Sequence, residues 1–202
     1  MVDGARRICV IGDELVAGIG DPKALGWVGR VTARTPLDPS PLVMTLAVPD
    51  ETTTALSARW EAETALRFGS PPAQGEHHLV VALGRADLAA GVSLARSRLN
   101  LANILDVAES RRIATFVVGP PPGAHGEPDQ QAELSAAFAD VAQRRRVPYV
   151  ETYSPLAKHD QWLADLASGD GSTPGQAGYG LMAWLVLHTG WLRWLGLPED
   201  VS

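Results

Sequence analysis

The sequence predicts an α/β fold, a doubly wound parallel sheet with helices packed on both faces. Two observations predict it. Five apolar runs of strand length alternate with longer segments of helical periodicity. The runs are continuous rather than alternating, as strands buried on both faces require. Strand–helix alternation of this kind also implies right-handed crossovers between parallel strands.

The strands are expected at residues 8–11, 42–48, 79–83, 113–118 and 147–150. The first ends at Gly12-Asp13, the third at Gly84, and the fourth at Gly119 and three prolines. Between them, segment 51–68 carries Leu56, Trp60 and Ala65 behind three threonines, Thr52 to Thr54. Segment 92–112 carries Leu94, Leu101, Ile104, Leu105 and Ala108 at helical spacing, and 129–146 carries Leu134, Phe138, Val141 and Ala142. Segment 176–188 is apolar nearly all round, which suits a helix packed against the sheet. Proline-rich stretches 35–41, 69–74 and 119–128 read as surface loops. With neither repeat nor linker, residues 1–202 read as a single domain with a tryptophan-rich tail from 189.

Composition narrows the function. A net charge of −6 argues against a nucleic-acid partner, which needs a basic patch. The basic triplet Arg144-Arg145-Arg146 falls at an expected helix end, where cations complement the dipole. The lone cysteine, Cys9, lies inside a strand and reads as a buried thiol. No signal-peptide region opens the chain and no run reaches the length of a membrane span, so a soluble cytoplasmic protein is expected. No cofactor is expected either.

In a sheet of this type, ligands bind beyond the carboxyl ends of the strands. Segments 12–20, 48–53, 84–88 and 119–128 should converge there, with 169–174 able to close the site. Gly12-Asp13-Glu14-Leu15, with Gly18 and Gly20-Asp21 behind it, resembles the first block of the SGNH (GDSL-type) hydrolases, Gly-Asp-Ser-Leu-x-x-Gly. Leu46-Ala47-Val48-Pro49-Asp50-Glu51-Thr52-Thr53 is similar to their second block, and Leu83-Gly84-Arg85-Ala86-Asp87 to their third, Gly-x-Asn-Asp. Gly169-Asp170-Gly171-Ser172-Thr173-Pro174, then Ala177-Gly178-Tyr179, resembles the last, Asp-x-x-His-Pro with Ala-Gly-Tyr. Leu25-Gly26-Trp27 resembles the Gly-Trp pair that opens the next helix in bacterial members. The resemblance spans about residues 6–188 and implies a three-layer α/β/α, flavodoxin-like five-stranded parallel sheet.

It also implies four departures. The family's nucleophilic serine falls at Glu14, its oxyanion-hole glycine at Asp50, its oxyanion-hole asparagine at Ala86 and its histidine at Thr173. Asp13, Asp87 and Asp170 are kept. Ester hydrolysis needs an activated hydroxyl, a base and donors aimed at an oxyanion, and these residues supply none of them. Two ionised carboxylates here would each repel an oxyanion by about 4 kcal/mol at about 4 Å and an effective dielectric of about 20. A degenerate active site that does not work as a serine hydrolase is therefore expected.

Three functions follow. The first is a binding protein whose acidic pocket, built from Asp13, Glu14, Asp50, Ala86, Asp87 and Thr173, takes a small ligand or partner. The second is an enzyme using Glu14, Asp50 and Asp170 for acid–base chemistry such as epoxide opening, glycoside cleavage, isomerisation or cyclisation, since crowded carboxylates drive their pKa values apart. The third is residual esterase activity from another nucleophile, Ser172 being the serine at hand. No metal is assigned to the site, although crowded carboxylates could also take a divalent cation or a cationic ligand. Scaffold roles compete at each residue: a helix N-terminus for Glu14, an N-cap for Asp50, turn bonds for Asp170, a structural place for Asp87 and a cap for Thr173.

His77 and His78 are expected on an exposed loop before the third strand. His125 and His159 read as loop residues on the site's side, and His188 as a surface or core residue of the last long helix. Trp27 and Trp60 fit helix faces, whereas Trp184, Trp191 and Trp194 fit either core packing or a homodimer seam.

Overall fold

The computed structural model describes residues 6–69, 77–82, 84–124 and 126–198. Five strands, β1 (Arg7–Gly12), β2 (Leu42–Ala47), β3 (His77–Ala82), β4 (Ala114–Val118) and β5 (Tyr149–Val150), form one sheet in the order β2-β1-β3-β4-β5. Every pairing is parallel.

The continuous apolar runs explain the layering. Along β1, Ile8 and Val10 enter one core while Cys9 and Ile11 enter the other. In β3, Val80 and Ala82 oppose Leu79 and Val81 in the same way. One core is completed by helices α3 (Thr53–Phe68), α5 (Leu94–Ser110) and α6 (Pro128–Arg144), through Leu56, Trp60, Leu101, Ile104 and Phe138. The other is completed by α1 (Glu14–Ala17), α2 (Gly26–Thr32), α8 (Asp160–Ala167) and α9 (Gln176–Val186), through Trp27, Trp162, Tyr179 and Met182. Short helices α4 (Arg85–Ala89), α7 (Tyr153–Ala157) and α10 (Leu192–Trp194) finish the chain's path. The expected three-layer α/β/α architecture is observed.

Local chemistry sets the boundaries. Ser93 caps α5 by accepting from Arg96 N, and Pro128 opens α6 where a missing N–H costs nothing. At the other end of α6, Arg144 pairs with Asp140 at 2.9 Å and Arg145 with Asp106 at 2.6 Å. Cys9 is buried, and burial pushes its thiol up to about 12.

The expectation for His77 and His78 is corrected. Both belong to β3 and both are buried. The sheet starts two residues early because Arg7 and Ile8 of β1 stand opposite them in register. Aromatic rings then cover both: Phe68 stacks on His77 at 4.5 Å, and Trp194 meets His78 edge-on at 5.0 Å. Trp191 and Trp194 join Phe116 in the core, whereas Trp184 stays exposed and stacks on His188. His159 sits exposed at the start of α8, and His125 lies outside the described residues. Among the described residues, no helix is long and apolar enough to cross a membrane.

Candidate functional site

The carboxyl ends of β1, β2 and β3 deliver the loops as expected, and Gly12 lets them close up. A Cβ on Gly12 would sit 1.9 Å from the Ala82 carbonyl oxygen, so only glycine allows β1 and β3 to end side by side. Asp13 then caps α1, its carboxylate accepting from Leu15 N at 3.0 Å. That cap places Glu14 at the first position of the helix, facing the ends of β2 and β3.

Glu14 is held from two sides. Its Oε2 accepts the backbone N–H of Asp50 at 3.0 Å, and its Oε1 accepts from Arg85 Nη2 at 2.6 Å. Arg85 is buried, and its Nη1 donates to the Ser172 carbonyl at 2.7 Å. A Cβ on Gly123 would lie 2.7 Å from the same Nη1, so the loop after β4 also closes on this guanidinium. Gly20 approaches Thr173 and Pro174 equally closely, joining the loop after β1 to the loop before α9. All five predicted segments therefore meet, and Arg85 stands at their centre.

Arg85 is the site residue that sequence reasoning passed over. The signal was present: a carboxylate placed at a buried helix start needs a cation close by. Arg85 sits between Gly84 and Ala86, one residue before the position of the family's asparagine. It adds a cation to the cluster: Glu14 lies within electrostatic reach of Asp13 and is ion-paired with Arg85.

The remaining acids have separate partners. Asp50 takes φ of +55° with its side chain exposed, and it does not cap α3. Thr52 does, accepting from Ala55 N at 3.2 Å. The reason is positional: α3 starts at Thr53, which makes Thr52 the N-cap and leaves Asp50 two residues ahead of it. Asp87 is fully buried and accepts from Thr53 N and Thr53 Oγ1, both at 2.7 Å, and from Ser97 Oγ at 2.5 Å. It ties α3, α4 and α5 together, which is the scaffold role. Asp170 is exposed and accepts from Ser172 N at 2.8 Å, Thr173 N at 2.7 Å and Thr173 Oγ1 at 3.0 Å. These N–H bonds, Thr173's foremost, hold its carboxyl below the ordinary range. Ala86 and Thr173 are half-buried.

Asp13 differs from all of these. Burial pushes its carboxyl up to about 7, against the pull of the Arg85 charge. Space beside the site is small. Voids of about 10 Å³ adjoin Asp13 and Arg85, room for about one water each. Among the described residues, no group of three or more His, Cys, Asp or Glu could hold a metal ion.

Comparison with known proteins places this geometry. The chain superposes on a lipase/acylhydrolase from Enterococcus faecalis with a TM-score of 0.75, at 19% identity, over 98% of this chain and 100% of that one. An acetylxylan esterase from Geobacillus stearothermophilus gives 0.74 at 18% identity, over 100% of both. A psychrotrophic esterase from Pseudoalteromonas sp. gives 0.72 at 17%, over 95% of this chain and 99% of that one. No curated protein sequence matches the chain significantly. The family model described as GDSL-like Lipase/Acylhydrolase matches residues 10–181, most of the chain. The chain belongs to the GDSL-like lipase/acylhydrolase family.

Proposed function

We propose that this family member does not hydrolyse esters through a serine, and that the exposed rim of its site binds a small polar ligand instead. One observation carries the reading: Glu14 stands where the family resemblance puts the nucleophile, with its carboxylate on the Asp50 N–H at 3.0 Å and on Arg85 at 2.6 Å. The N–H that would stabilise a substrate oxyanion is already occupied by an internal anion. Losing a triad nucleophile alone costs on the order of 10⁶ in kcat. The rim residues Asp50 and Asp170 then face solvent, with half-buried Thr173 beside them, around a neutralised centre, which suits a cationic or hydroxyl-rich ligand. Asp13 and Asp87, both buried, support the cleft from behind.

The test has two arms. A fluorophosphonate probe and p-nitrophenyl acetate should give neither labelling nor turnover, and labelling of any serine, Ser172 included, overturns the reading. A thermal-shift panel of polyols and diamines should contain compounds that raise Tm for the native protein and not for Asp50→Gly. That variant keeps the backbone unstrained, because glycine accepts φ of +55° freely.

Carboxylate acid–base chemistry is the second reading, favoured by Asp13, whose burial holds a proton up to about pH 7. It requires turnover that titrates near that pH and disappears in Asp13→Asn.

A further inference from the structure

A second cavity lies away from the cleft. It is a groove of about 870 Å³ at the outer edge of the sheet, between the end of α6 and the break after α9. Its residues Val147 and Pro148 precede β5, so it opens toward the amino end of that strand, opposite the Glu14 end.

The fold creates the groove for a definite reason. β5 is two residues long and pairs only with Val117 and Val118. The first three residues of β4 therefore have no strand beside them on that side. The chain after α9 does not fill the gap, because the helix breaks at Thr189 and Gly190, whose φ/ψ are not helical. A Cβ on Gly190 would meet nothing within 4 Å.

Charge says what the groove fits. The chain carries an excess of acids, with a net charge of −6, yet among the described residues no Asp or Glu lines this groove. Its charged lining residues are Arg146 and Arg193, with His188 beside them. The floor is apolar, formed by Val147, Leu187 and Trp194. Among the described residues, no carboxylate pairs with Arg146, unlike its neighbours Arg144 and Arg145. Arg146 also holds φ of +57°, at a helix end where glycine is the favoured residue.

We infer that this groove binds an organic anion with an apolar body, a carboxylate on a hydrocarbon chain or ring, with Arg146 on the anionic group and Trp194 under the hydrocarbon. The volume is that of a small-molecule site, typically about 300–1,000 Å³, rather than of a macromolecular interface. The Arg146 guanidinium above an apolar floor matches a single amphiphile in charge and in shape.

The test titrates the protein with dodecanoate and with neutral dodecyl maltoside, reading tryptophan fluorescence and calorimetric heat. The proposal expects saturable one-to-one binding of dodecanoate, weakened about tenfold in Arg146→Gly by loss of one charge-assisted contact. The maltoside should bind no better to the native protein than to the variant. Arg146→Gly relieves the positive φ, so its Tm should equal or exceed that of the native protein, which separates lost binding from lost folding. Absence of saturable binding, or equal affinity in the two proteins, overturns the proposal. So does attachment to phosphatidylglycerol vesicles without binding of free dodecanoate, which would assign the arginines to a membrane surface. Self-association that Arg146→Gly weakens, with no dodecanoate binding, overturns it in favour of a second copy of the chain.

Discussion

Arg85 Nη2 lies 2.6 Å from Glu14 Oε1, and the two side chains are 4% and 11% exposed. The pair is bonded further, to the Asp50 N–H on one side and the Ser172 carbonyl on the other. Such a pair adds little to stability as a whole, because desolvation offsets attraction, but removing one partner strands the other charge. Arg85→Met should therefore destabilise the protein by about 3–5 kcal/mol, read as a fall in the urea midpoint. Glu14→Gln in the Arg85→Met background should recover most of that loss. If the double variant is as unstable as the single, the charge is not the cause.

The same pair sets what is needed to regain hydrolysis. Glu14→Ser, Asp50→Gly, Ala86→Asn and Thr173→His together restore the family's residue types. They also leave the Arg85 guanidinium without its carboxylate in the middle of the rebuilt site. The fourfold variant should show little p-nitrophenyl acetate turnover, and adding Arg85→Met should raise it. Equal rates with and without Arg85 would show that the guanidinium does not obstruct the site.

Asp13 gives a pH signature. Its folded value, about 7, lies above the unfolded carboxylate value of about 3.9. Between these limits the native state holds a proton that the unfolded state has lost. Stability from this group is thus full below about pH 4 and declines as pH rises through about 7. Asp13→Asn keeps the acceptor for Leu15 N and removes the titration. Urea midpoints should then favour the variant increasingly from pH 4.5 to 7.5, and parallel curves would remove Asp13 as the titrating group.

Asp87 anchors three helices, and its loss leaves buried donors on Thr53 and Ser97 without their acceptor. Asp87→Ala should cost about 2–5 kcal/mol. Asn100 also donates to Thr53 Oγ1, at 2.9 Å, so Asn100→Ala in the Asp87→Ala background should cost less than it does alone. Additive costs would mean that the two residues do not share a network.

The sequence by itself determined the sheet, its layers and the end at which the site lies. Strand runs such as 8–11 and helix periodicity such as that of α5 are local patterns, set by which side chains a strand or helix turns toward a core. It also marked Asp13, Glu14, Asp50 and Asp170 as residues delivered to the same end of the sheet. Tertiary structure alone decided how their charges are balanced. Glu14 and Arg85 are 71 positions apart, and no periodicity links residues at that distance. His77 and His78 became buried for a similar reason, since their cover comes from Phe68 and Trp194 on other elements. The groove beside β5 depends on a strand two residues long and on the break at Thr189 and Gly190. Patterns along the chain report which face a residue takes; ion pairs and cavities depend on distances that exist only once distant segments have packed.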